Sequence, residues 1–322
     1  MRKLFFRADA DRSIGFGHFS RSLALADMLK DSFECTFFTQ TPSDYQKAEV
    51  ERVCKLVTLP ADDSKFNLFL DYLSGDEVVF LDNYFFTSDY QLRIKKKGSK
   101  LICLGTNDRH YYCDVLINYA ESDSGIFSIE PYTKVRLGMD WVILRKPFRN
   151  VSSISEKRDF NRIVICYGGT DQFELTEKTV DVIKGLGKPY SVSLIAADGF
   201  GKNRLDSLEK DGVDCHVNAT AEEIVDLFKR SDCLVSSAST ITHEGLACQI
   251  PVLCGYYVEN QKRMYQYFTE KQLVVGLGDM LLPDFPLMLS ESLSHFDRCI
   301  KDVHPYSYGN IEQRYVSLIN SL

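Results

Sequence analysis

Two Rossmann-like α/β domains whose parallel sheets face a common cleft are predicted for this chain by three observations. The 322 residues suit two cores of ordinary size. Short apolar runs alternate with helix-like segments, and the series occurs twice. A polar stretch without periodicity, Lys146-Pro-Phe-Arg-Asn-Val-Ser-Ser-Ile-Ser-Glu-Lys-Arg158, separates the two series. The domains are therefore drawn at 1–149 and 150–322.

In the first series the runs Lys3 to Phe6, Cys35 to Phe38, Leu56 to Leu59, Val78 to Leu81, Leu101 to Leu104 and Val115 to Asn118 read as strands. Helices are expected to begin near His18, Ser43, Ser64 and Ser88. Strands joined by helices of this length need right-handed crossovers, which give a parallel sheet covered on both faces. Ala120 to Gly125, acidic and containing Ser and Gly, reads as a surface loop. The second series runs through Arg162 to Tyr167, Tyr190 to Ala196, Val213 to Val217, Cys233 to Ser236 and Pro251 to Cys254. Between these strands, Ile224, Leu227 and Phe228 form the core stripe of a helix that starts near Ala219-Thr-Ala-Glu222. The amphipathic segment Tyr306 to Leu322 is expected to pack back on the surface, with the N-terminal domain as its candidate partner.

Composition narrows the function classes. Hydrophobic residues make up 44% and charged residues 26%, the balance of a globular chain. The net charge of −7 disfavours nucleic acid and anionic lipid as partners, although one cleft can still be locally basic. The basic start Met1-Arg-Lys is followed by too short an apolar run for a signal peptide, and no stretch reaches the roughly 18 apolar residues of a spanning helix. Ten scattered cysteines without a Cys-x-x-Cys pair read as buried thiols of a reducing cytosol. A cytoplasmic protein that does not insert into membranes is expected, with a monomer as the working assumption. No metal-ligand spacing, Walker loop or Gly-x-Ser-x-Gly elbow is present, so neither a metal nor a cofactor is expected.

Three motifs carry the chemistry. The first, Asp9-Ala-Asp-Arg-Ser-Ile-Gly-Phe-Gly-His18, follows the first strand and precedes a helix. Gly15 and Gly17 let backbone approach a ligand closely, and a helix start offers amide donors to an anion. Ser20 stands where the third glycine of a dinucleotide fingerprint would fall, so the turn reads either as a diphosphate receptor or as a plain strand-to-helix turn. His18 is a candidate general base at the carboxyl end of the strand, or else a histidine that hydrogen-bonds within the turn. The second motif, Tyr167-Gly168-Gly169-Thr170-Asp171, offers amides, a hydroxyl and a helix cap at the corresponding strand end of the second series. Two such turns could close on one ligand from opposite sides. The third is Ser236-Ser-Ala-Ser239-Thr240-Ile-Thr-His243-Glu244, followed by Glu259-Asn260-Gln261. Ser239 and Thr240 at a helix start suit phosphate, and Glu244 a turn later suits ribose hydroxyls, whereas a capping run with a surface glutamate is the bland alternative. Tyr84, just beyond a strand in Asn83-Tyr-Phe-Phe86, is a further candidate site residue.

Gly15-Phe-Gly-His18, Asp82-Asn-Tyr84, Cys113 to Asn118, Gly138 to Phe148 with its Leu144-Arg145, Gly168 to Asp171, Ser237 to Glu244 and Asn260-Gln261 occur in an order that covers nearly the whole chain. In this it resembles the UDP-2,4-diacetamido-2,4,6-trideoxy-β-L-altropyranose hydrolases of pseudaminic acid biosynthesis, a family similar to the MurG-like glycosyltransferases. The resemblance implies a GT-B fold and a UDP-sugar substrate. In that family water attacks the anomeric carbon with inversion, releasing free sugar and UDP. His18 matches the essential histidine, while Tyr84 and Asn260 match positions at the sugar. Arg145, Gly168 to Asp171, Ser239, Thr240, Glu244 and Gln261 match segments that hold the substrate. Two positions depart from the family pattern: Asn83 stands where a histidine is expected, and Gly105-Thr106 where aspartates are common. A glycosyltransferase with a UDP-sugar donor and a catalytically silent nucleotide-sugar binder remain the alternatives.

Overall fold

The computed structural model describes residues 1–10, 17–106, 108–149, 151 and 160–322. They form two compact units, Met1–Lys146 together with Tyr308–Leu322, and Pro147–Ser307.

The first unit contains β1 (Lys3–Arg7), α1 (Gly17–Leu29), β2 (Glu34–Gln40), α2 (Asp44–Glu51), β3 (Lys55–Leu59), α3 (Ser64–Asp71), β4 (Val78–Leu81), α4 (Ser88–Lys96) and β5 (Lys100–Leu104). These are followed by β6 (His110–Tyr111), β7 (Val115–Asn118), β8 (Ser128–Ile129) and β9 (Lys134–Leu137). Seven of the strands make one sheet in the order β3-β2-β1-β4-β5-β7-β9, and β6 pairs with β8 alone. Every pairing is parallel. Strands covered on both faces read as unbroken apolar runs, which is why β4, Val-Val-Phe-Leu, is buried throughout. Phe6, Phe37 and Phe80 pack ring on ring across adjacent strands. The sequence reading ended this sheet at Val115 to Asn118. The edge strand β9, Lys-Val-Arg-Leu, is too polar to stand out.

Helix starts follow their capping chemistry. Ser43 and Gln46 form a capping box at α2, and Thr87 accepts from the Tyr90 amide at α4. The C-terminal helix Ile311–Asn320 lies on this unit. Its Tyr315 hydroxyl donates to the Trp141 carbonyl at 2.6 Å, and the Arg2 guanidinium donates to the Ile319 carbonyl at 2.8 Å.

In the second unit β10 (Arg162–Cys166), α5 (Leu175–Gly185), β11 (Ser191–Ala196), α6 (Lys202–Lys210), β12 (Val213–Val217), α7 (Ala221–Lys229) and β13 (Cys233–Ser237) come first. Then follow α8 (Thr240–Ala247), β14 (Val252–Tyr256), α9 (Glu259–Glu270), β15 (Val275–Asp279), α10 (Phe285–Ser294) and α11 (Phe296–Cys299). The strands form an all-parallel sheet in the order β12-β11-β10-β13-β14-β15. Its core joins Ile163, Ile165, Leu194, Val235 and Leu253 to Leu289 and Leu293 of α10. Helix α5 begins only at Leu175, because Glu174 takes a left-handed conformation with φ 56°. The strand β15 was not anticipated: Gly276 and Gly278 weaken its signal, and a side chain at Gly276 would meet the Tyr265 hydroxyl at 2.7 Å.

Candidate active site

In the first sheet the chain winds outward from β1 through β2 to β3, then returns to the other side of β1 with β4. The strand order therefore reverses between β1 and β4, and the carboxyl ends of such a pair flank the crevice where open α/β sheets bind ligands. Asp9 lies just past β1, and Asp82, Asn83 and Tyr84 lie just past β4. Asn83 ties the two ends together, its Oδ1 accepting from the Asp9 amide at 2.7 Å and its Nδ2 donating to the Asp9 carbonyl at 3.2 Å. The residue at the first family departure is thus a backbone fastener.

Helix α1 leaves this edge with His18, Arg21 and Ser22 on one face, the neighbour spacing of a helix. All three converge on the buried Asp82 carboxylate. His18 Nδ1 is 2.7 Å from Asp82 Oδ1, Arg21 Nε donates to Oδ2 at 2.5 Å while its Nη2 donates to Oδ1, and Ser22 Oγ donates to Oδ2 at 3.2 Å. Arg21 Nη1 also donates to the Tyr119 hydroxyl at 3.0 Å. Burial pushes the Asp82 carboxyl up, but Arg21 and the His18 hydrogen bond together outweigh it and hold the group below the usual carboxylate range. Arg21 is held well above its ordinary value, since the attraction of Asp82 and its neighbours exceeds the opposing effect of burial. Tyr84 is half exposed and sets its ring edge-on to His18 with centroids 4.5 Å apart.

Beside this cluster, Asp9 is buried between two cations. Arg7 donates to it with both terminal nitrogens, Lys65 Nζ lies 3.5 Å away, and the Gln40 amide donates at 2.8 Å. The end of β1 is thus locked by charge.

The second sheet reverses between β10 and β13. The Gly168 to Asp171 turn follows β10 and Ser239 follows β13, so the second and third motifs flank that unit's switch point. Gly168 has φ +89°, and a side chain on Gly169 would meet the Ala197 side chain at 2.8 Å, so both positions require glycine. Gly168, Gly169 and Thr170 are exposed, whereas Asp171 is buried. The Asp171 carboxylate accepts from the Leu175 and Thr176 amides at 3.0 and 2.8 Å, which caps α5 and occupies those donors. Arg204 Nη1 donates to the Thr170 and Asp171 carbonyls at 3.1 and 3.0 Å and fixes the turn from outside.

Helix α8 differs. Its N-cap Ser239 makes no side-chain capping bond and instead donates to the Ser237 carbonyl at 3.2 Å, which leaves the helix start as the better anion receptor of the two. Glu244 lies one turn in and is only 1% exposed, so it is not the surface glutamate of a plain capping run. His243 is buried against Phe268, and burial pushes its imidazole down to about 3. It is neutral at ordinary pH, which removes it as an acid. Gln261 Oε1 accepts from the Tyr257 amide at 3.1 Å, and Tyr257 donates to the Tyr167 carbonyl at 2.8 Å, stitching the β10, β13 and β14 ends together. Asn260 is exposed in the first turn of α9.

No family model matches the chain. It is 26% identical over 282 residues to the UDP-2,4-diacetamido-2,4,6-trideoxy-β-L-altropyranose hydrolase of Campylobacter jejuni, across 84% of this chain and 97% of the relative. It is 22% identical over 305 residues to the spore coat polysaccharide biosynthesis protein SpsG of Bacillus subtilis, across 88% and 86%. Among solved structures, Acinetobacter baumannii MurG matches with a TM-score of 0.70 over 100% of both chains at 11% identity. Anabaena HepE in complex with UDP and glucose matches at 0.60, again over 100% of both, at 10% identity. The fold is GT-B.

On this GT-B frame the expected residues divide between the two units. His18 and Tyr84 come together on the first unit, and Gly17 heads α1, where an added side chain would meet nothing described within 4 Å. Gly15 lies outside the described residues. Arg145 is half-buried near the end of the first unit, away from the motif positions in sequence. Gly168, Gly169, Thr170, Asp171, Ser239, Thr240, Glu244, Asn260 and Gln261 lie on the second unit. Sequence reading missed Asp82 and Arg21 as site residues. Their signals were present, as a carboxylate ending a fully apolar strand and an arginine one helical turn after His18. At the other departure, a side chain on Gly105 would meet Leu116 and Tyr111 at 2.4 and 2.6 Å, and Thr106 donates its amide to the Tyr111 hydroxyl at 2.8 Å. Tyr111 fills the space an aspartate would need. Among the described residues no group of three or more His, Cys, Asp or Glu could hold a metal, and no helix is long and apolar enough to cross a membrane.

Proposed function

We propose that this chain hydrolyses a UDP-sugar, with His18 as the general base and the second unit as holder of UDP. The observation that carries the reading is His18 at the β1–β4 switch point, anchored on Asp82, in a chain similar to a UDP-sugar hydrolase. Diphosphate is assigned to the α8 start and the exposed Gly168 to Thr170 turn, ribose to Glu244, and the sugar to Tyr84 and Asn260. Water attacks the anomeric carbon with inversion, and UDP leaves. A positioned base contributes about 10²- to 10⁴-fold, and the helix-end dipole stabilises the departing diphosphate. The substrate is UDP-2,4-diacetamido-2,4,6-trideoxy-β-L-altrose or a close relative, and the free sugar released serves nonulosonic acid synthesis.

The test is UDP release from such a sugar nucleotide with no acceptor present. Release that strictly requires an acceptor replaces the hydrolase with a glycosyltransferase, the reading favoured by the MurG-like fold. UDP binding without release under either condition leaves a silent binder. Turnover is expected to persist in EDTA, and its loss with rescue by a divalent cation would refute the metal-free mechanism.

A further inference from the structure

We propose that Asp82 and Arg21 are positioning residues that fix His18 as the tautomer with its proton on Nδ1, leaving Nε2 to take a proton from the attacking water. The proposal rests on the reading of His18 as general base. Its geometric basis is that Nδ1 has two neighbours, Asp82 Oδ1 at 2.7 Å and Arg21 Nη2 at 2.9 Å. A protonated Nδ1 makes a charge-assisted bond to the carboxylate, roughly twice as strong as a neutral one. An unprotonated Nδ1 would turn its lone pair on an anion at hydrogen-bond distance. Arg21 already has partners without the imidazole, in both Asp82 oxygens and the Tyr119 hydroxyl. The carboxylate therefore sets the tautomer, and the guanidinium sets the carboxylate.

The step balances. The water oxygen bonds to the anomeric carbon, and the bond from that carbon to the UDP oxygen breaks with its electron pair leaving on the diphosphate. The water proton passes to Nε2, and the imidazolium that forms is already bonded through Nδ1 to the Asp82 carboxylate. Because Arg21 balances the Asp82 charge, the carboxylate orients the ring without becoming the proton's destination.

The groups that face Asp82 or its partner Arg21 are His18 and Ser22 from α1, Tyr84 after β4, Tyr119 after β7 and Tyr315 from the C-terminal helix. Arg21 is the fixed cation of this cluster. Replacing it by Gln leaves a buried carboxyl whose remaining influence is dominated by desolvation, which raises it. Activity that needs the ionised carboxylate then falls away on the acid side at a higher pH than in the parent.

The test has one arm without turnover and one with it. Nitrogen-15 NMR of labelled histidines, with the His18 signals assigned by loss in His18→Ala, should show His18 protonated on Nδ1 and bare on Nε2 in the unaltered protein at neutral pH. An Nε2-protonated ring would overturn the proposal outright. In the second arm, Asp82→Asn should lower kcat by roughly 10²- to 10⁴-fold, the whole contribution of a positioned base, with UDP affinity unchanged. Arg21→Gln should move the acid limb of kcat/KM upward, and Arg21→Lys should restore most of it. Hydrogen-exchange protection of β1, β4 and α1 certifies folding of the first unit in every variant, and UDP affinity that of the second. Profiles of Asp82→Asn and Arg21→Gln that superimpose on the parent, while His18→Ala is inactive, would sink the positioning role and spare the hydrolase. Activity retained in His18→Ala would sink the hydrolase mechanism itself, and the proposal with it.

Discussion

At the scale of single residues, the first site is organised by one buried carboxylate. His18→Ala is expected to abolish turnover and leave UDP affinity within about twofold, because every assigned nucleotide contact belongs to the other unit. Isothermal titration with UDP beside a turnover assay checks this, and a parallel loss of UDP binding would reassign His18. Asp82 also makes a stability prediction. A carboxyl held below its unfolded value stabilises the fold above that unfolded value, near 4, and stops doing so as pH falls through the lowered one. Asp82→Asn strands Arg21 in the interior and should destabilise by roughly 3–5 kcal/mol at neutral pH. Thermal denaturation of both proteins from pH 7 downward should show the gap narrowing below about pH 4, and a gap independent of pH would refute the linkage. His18 was legible because glycines, histidine and helix start adjoin in sequence. Asp82 was not, because a charge becomes informative only when the sheet order places it opposite α1, and that order is a long-range property.

Among elements, the apolar runs located the central strands of both sheets well, since strands buried on both faces leave little room for ambiguity. The edges were harder. Lys134-Val-Arg-Leu137 and Val275-Gly-Leu-Gly-Asp279 are half-buried and polar or glycine-bearing, so burial that would identify them comes only from neighbours. The start of α5 shows how one side chain can decide an element and a site together. Asp171, itself at φ 41°, caps the Leu175 and Thr176 amides and thereby shapes the Gly168 to Thr170 turn. Asp171→Ala is expected to destabilise the protein by about 1–2 kcal/mol, as for a lost helix cap, and to weaken UDP binding through the loosened turn. Denaturant unfolding together with UDP titration measures both. A normal UDP affinity in a destabilised Asp171→Ala would detach the turn from the nucleotide site. Gly169→Ala probes the same turn sterically, through the 2.8 Å approach to Ala197, and should weaken UDP binding more than it lowers stability.

For the whole molecule, the chain crosses from one unit to the other at Lys146 and again at Ser307, so sequence order and spatial order part company at the C-terminus. The amphipathic pattern of the last segment shows a face to bury; the N-terminal domain is its candidate partner, but periodicity alone does not identify the surface. Packing names it: Ile311, Tyr315, Leu318 and Ile319 are buried on the first unit, with Tyr315 bonded to the Trp141 carbonyl and Arg314 to the Asp140 carbonyl. Tyr315 also lies within electrostatic reach of Arg21 and Asp82, which connects the tail to the cluster around Asp82. Ending the chain at Ser307 removes those apolar side chains, each worth about 1.5–3 kcal/mol when fully buried, from one unit alone. The truncated protein should therefore lose protection against hydrogen exchange in β1, β4 and α1 while β10 and β13 keep theirs. UDP should still bind, protecting Gly168 to Asp171 and the start of α8, and turnover should be lost. Truncation that unprotected both sheets alike would mean that the two units do not hold their stability separately, and the division of binding and catalysis between them would fall with it.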